Sequence, residues 1–175
     1  PPRITVPPGN FNQDRYEMMF DWLADWEQHP EAPAWGLDNL ALGMRARKLD
    51  ARAAAVSRLS LERDPQNHDA MVWLGFDAAM AGDIAALDAW LERLQGAEPR
   101  PFFRCMQHLL EGVAAALHAG NSQVAVAHFR PAREVAKGSE HGSYWRLRRH
   151  LAKALAFGPA TPRWLVPLRY LPLRF

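Results

Sequence analysis

Glycine and proline punctuation cuts the apolar sequence of this chain into helix-length pieces. Leu74-Gly75, Gly82-Asp83 and Pro99 have the internal spacing of one helix-turn-helix unit. Met71, Leu74, Ala78 and Ala79 recur at helical spacing, and Gly82 breaks the run. Asp83 then caps a partner helix carrying Ile84, Leu87, Trp90, Leu91 and Leu94, and Pro99 closes the unit.

The same reading extends in both directions. Tyr16, Met19, Phe20, Leu23 and Trp26 predict a helix stopped by His29-Pro30, because a residue before proline is pushed out of the helical region. Trp35, Leu37, Leu40, Leu42 and Met44 predict a second helix. Asp50 reads as the N-cap of a third, with Ala54, Val56, Leu59 and Leu61, closed by Asp64-Pro65. Residues Phe102 to His118 predict another apolar helix, after which Gly120-Asn121 turns the chain into Val124 to Ala136. A last amphipathic helix, about Ser143 to Phe157, sets Tyr144, Leu147, Leu151, Ala154 and Leu155 against Arg146, Arg149, His150 and Lys153.

Gly43, Gly75 and Gly112 lie 32 and 37 residues apart, each inside a predicted first helix, where a missing side chain lets neighbouring helices approach closely. With the period near 34 residues, the chain resembles the tetratricopeptide-like superfamily. The unit holding Leu74, Gly75, Ala78 and Pro99 is the best match, although it has Met71 where that family favours Trp and Leu87 where it favours Ala. The units on either side are degenerate. The resemblance spans residues 34 to 136 and implies an all-α fold of stacked antiparallel helix pairs in a short right-handed superhelix.

This predicts an extended lead-in over residues 1–12, where prolines and Gly9 forbid a helix start, and a helical repeat domain over 13–157. Residues 158–175 form a tail mixing proline, aromatic and basic residues, read either as a cap on the last helix or as a docking peptide giving self-association through residues 159–175. A composition of 49% apolar and 23% charged residues suits a chain that buries a core. Cys105 is the single cysteine, so no intrachain disulfide forms and a reducing, cytoplasmic setting is favoured. The chain opens on Pro1 rather than Met, which reads as a segment cut from something longer.

Little in the sequence points to catalysis. Cys105, His108 and Glu111 follow one another at three-residue steps and share a helix face, a possible nucleophile-base pair or partial metal site. A free cysteine in an apolar helix is more often core packing. Asp21, Asp25 and Glu27 surround Trp22 and Trp26 and read as solvated charges. The chain has no His-Glu-x-x-His, phosphate loop, nucleophile elbow or dinucleotide fingerprint. The expectation is therefore no enzyme, no cofactor and no metal.

The resemblance implies a binding surface instead. First helices of successive pairs line a concave face in such solenoids, and their groove offsets fall on Leu40 and Met44, on Val72 and Phe76, and on Leu109 and Val113. Relatives that clamp an acidic chaperone C-terminus carry Lys and Asn there, so the implied ligand is an apolar peptide or helix. The expected function is a non-catalytic protein-protein scaffold or adaptor. A second expectation rests on charge: residues 1–99 hold nine Lys/Arg against sixteen Asp/Glu, and residues 100–175 hold twelve against three. Arg146, Arg149 and Lys153 in the basic half suit an anionic surface, membrane lipid or nucleic acid. The acidic N-terminal half argues against nucleic acid.

Overall fold

The computed structural model describes residues 21, 23–96 and 101–137, which contain six α-helices, two 3-10 turns and no strand. The all-α expectation holds for these residues. The chain divides into two compact units, Pro1–Pro65 and Gln66–Phe175, at the Asp64-Pro65 break.

In the first unit, α1 (Ala34–Ala46) and α2 (Asp50–Arg63) pack on each other beside a 3-10 turn at Trp26–Gln28. Leu37, Leu40, Ala41 and Met44 of α1 meet Ala53 and Val56 of α2, together with Leu23 and Ala32. Spacing by three and four puts the four α1 residues on one stripe, and each fully buried Leu or Met contributes about 1.5–3 kcal/mol. Two buried serines tie the helices together. The Ser60 hydroxyl lies 2.7 Å from Asp38 Oδ1 and 3.1 Å from the Ala34 carbonyl, and Arg45 donates to Ser57 Oγ at 3.2 Å.

The turn between α1 and α2 departs from the glycine rule. Lys48 takes the left-handed conformation, φ 60°, while the Leu49 amide donates to the Met44 carbonyl at 2.9 Å. Asp50 is not the N-cap: Leu49 stands there without a side-chain cap, and Asp50 is the first helical residue, its carboxylate near the positive end of the helix. The helix predicted upstream lies mostly outside the described residues; Asp21 and Leu23 within it are helical, and Trp26–Gln28 at its end is 3-10.

The second unit follows the punctuation closely. Asn67 caps α3 (His68–Ala81), its side chain accepting from the Asp69 and Ala70 amides. Gly82 ends that helix at φ 73°, with the Asp83 amide donating to the Ala78 carbonyl at 3.0 Å. Asp83 Oδ1 then accepts from the Ala86 amide and caps α4 (Ile84–Gln95), as the sequence predicts. Pro101 opens α5 (Pro101–Ala119), since its missing N–H has no partner to lose in a first turn. Gly120, φ 60°, and a 3-10 turn at Ser122–Val124 lead into α6 (Ala125–Lys137).

Helix α5 packs against α3, α4 and α6, which makes it the centre of this unit. Two glycines permit the approach: a Cβ on Gly75 would collide with a Leu110 methyl, and one on Gly112 would come 2.6 Å from Phe129 Cε1. These neighbours are not equivalent. Gly75 faces the first helix of the next hairpin, whereas Gly112 faces the partner helix of its own. The helix predicted over residues 143–157 and the 158–175 tail lie outside the described residues.

Candidate functional site

The six side chains assigned to a concave face all lie in the cores. Leu40 and Met44 in the first unit, and Val72, Phe76, Leu109 and Val113 in the second, have no more than 1% exposure. They do not form an open lining. The cause is clearest in α3, where Ala70, Met71, Val72, Leu74, Gly75, Phe76, Ala78 and Ala79 are all buried. A helix apolar around most of its circumference is buried around most of it, so Val72 and Phe76 are covered as fully as Met71 and Leu74. Arg146, Arg149 and Lys153 lie outside the described residues.

The residues weighed for chemistry are paired or buried. Cys105 is 1% exposed. His108 Nδ1 stands 3.0 Å from Glu111 Oε2, and His128 Nδ1 of α6 lies 3.5 Å from the same oxygen, while Gln107 donates to Glu111 Oε1 at 3.1 Å. This cluster braces the α5–α6 contact. Among the described residues, no group of three His, Cys, Asp or Glu side chains is placed to hold a metal ion. No helix among them is long and apolar enough to cross a membrane.

The acidic residues around Trp26 each take a side-chain partner. Asp21 pairs with Arg47 at 2.9 Å, Asp25 with His29 at 3.4 Å, and Glu27 receives the Arg52 guanidinium, whose Nε lies 3.0 Å from Oε1. The hydrogen bond that Arg52 donates to the Glu27 carboxylate holds the Arg52 pKa above its ordinary value, against a smaller opposing effect of burial. Two of these pairs fasten the segment before α1 to Arg47 at the end of α1 and to Arg52 of α2.

What stands open is an indole. Trp35, in the first turn of α1, is 62% exposed, and the Trp26 ring meets it edge to face with centroids 5.8 Å apart. Trp26 takes that position because Gly36 has no side chain: a Cβ there would collide with Cζ3 and Cε3 of its ring. A half-buried indole thus braces an exposed one on an ion-paired hairpin.

Comparison with family models, curated proteins and solved structures finds no match.

Trp35 is one of the apolar residues that mark α1 in the sequence, and in the structure it lies on the side opposite the buried stripe. Trp35 precedes Leu37 by two residues, about 200° around a helix of 3.6 residues per turn, and Leu37 heads the buried stripe. That angle was present in the sequence. The role of Gly36 as a seat for Trp26 was not, because the two residues meet only when the 3-10 turn lies against α1. Leu49, Met80 and Val124 are also exposed, each at the end of an element, as scattered surface apolar residues commonly are.

Proposed function

We propose that this protein works by binding rather than by catalysis, as a helical protein-protein interaction module, and that Trp35, braced by Trp26, is its principal contact on the first unit. The observation carrying this reading is the 62% exposure of Trp35 on an otherwise well-packed hairpin. Tryptophan is enriched among the few residues that dominate interface energies, and an indole held by a neighbour loses little entropy when it docks. The ligand remains an apolar peptide or helix, now received on an exposed aromatic surface instead of a groove lined by the six core residues. The stacked tetratricopeptide-like arrangement is part of this proposal. Packing of α5 on both helices of the preceding hairpin supports it, and the unequal neighbours of Gly75 and Gly112 mark how far the pairs depart from strict repeats.

A displayed random-peptide library panned on the full chain tests the reading. Enrichment of aromatic and aliphatic sequences that bind the native chain and lose at least tenfold in affinity to Trp35→Glu is expected. Equal binding to Trp35→Glu overturns the assignment. Phe76 is unsuitable for this purpose, since a charge placed in the core unfolds the unit and mimics lost binding.

The charge asymmetry of the sequence favours a second reading, in which the basic C-terminal half, with Arg146, Arg149 and Lys153, docks on an anionic lipid surface. It predicts sedimentation with phosphatidylserine vesicles that falls steeply as salt rises. Sedimentation unchanged by salt sinks it.

A further inference from the structure

We draw no further inference here: the strongest candidate, the His108–Glu111–His128 cluster where α5 meets α6, has both imidazoles engaged with one carboxylate, lacks a metal-holding set among the described residues, and has nothing in the structure to show what it would bind.

Discussion

Trp26 rests against the backbone of Gly36, in space that any other residue at that position would fill with its Cβ. This contact joins the 3-10 turn to the first turn of α1 and sets the ring that meets Trp35 edge to face. Replacing Gly36 with Ala opposes two effects: a gain in helix propensity of up to about 1 kcal/mol, and steric overlap costing about 1–3 kcal/mol. Urea unfolding should show net destabilisation in the native background. In a Trp26→Ala background the same substitution should become neutral or stabilising, because only propensity remains. An identical effect in both backgrounds would show that the contact does not govern this site.

Gly75 and Gly112 should respond unequally to alanine. A Cβ at Gly75 meets the end of the flexible Leu110 side chain, which can rotate away. At Gly112 it meets Phe129 Cε1 and Cδ1 at 2.6 and 2.9 Å and the Ala125 carbonyl at 3.2 Å, and the carbonyl cannot turn aside without moving α6. Gly112→Ala should cost about 1–3 kcal/mol and Gly75→Ala clearly less, as measured by chemical denaturation. The reverse order would contradict the assigned packing.

Lys48 and Gly82 both occupy the left-handed region, φ 60° and 73°, but only one is a glycine. A side chain costs roughly 1 kcal/mol there. Lys48→Gly should therefore raise the stability of the first unit by about 1 kcal/mol. Gly82→Ala, with open space around its Cβ, should lower that of the second by a similar amount through backbone strain alone. Thermal unfolding of the two variants checks the opposite signs.

The Arg52–Glu27 pair should contribute modestly and without pH dependence on its cationic side. A raised folded-state pKa means that the contribution is fully present below the ordinary arginine value and is lost only as pH rises through the folded-state value. With Arg52 46% exposed, screening limits the pair to about 1 kcal/mol at most. Arg52→Gln should cost that much or less at low salt, equally at pH 7 and pH 9, and less still in high salt. A cost that differs between the two pH values would contradict the pairing.

Much of the second unit was legible because its boundaries are set by local chemistry. Asp83 caps through its own side chain, Gly82 supplies the positive φ, and apolar spacing marks α3, α4 and α5 without reference to distant residues. Asp50 shows where such local reasoning ends. It is an acidic residue beside a helix start, yet a turn built on Lys48 places Leu49 at the cap position and shifts Asp50 into the helix.

The proposed contact surface was much less legible, because exposure depends on what covers a face. Leu40, Met44, Val72, Phe76, Leu109 and Val113 carry the apolar character expected of either a groove or a core, and sequence spacing does not distinguish the two. Local sequence is enough to make the described residues helical and to set where most of those helices begin and end, since capping, glycine conformation and periodicity act within a few residues. That those six side chains are buried while Trp35 stands exposed over Trp26 follows from tertiary packing. Burial is set by contacts between helices, and those contacts form only once the hairpins have packed.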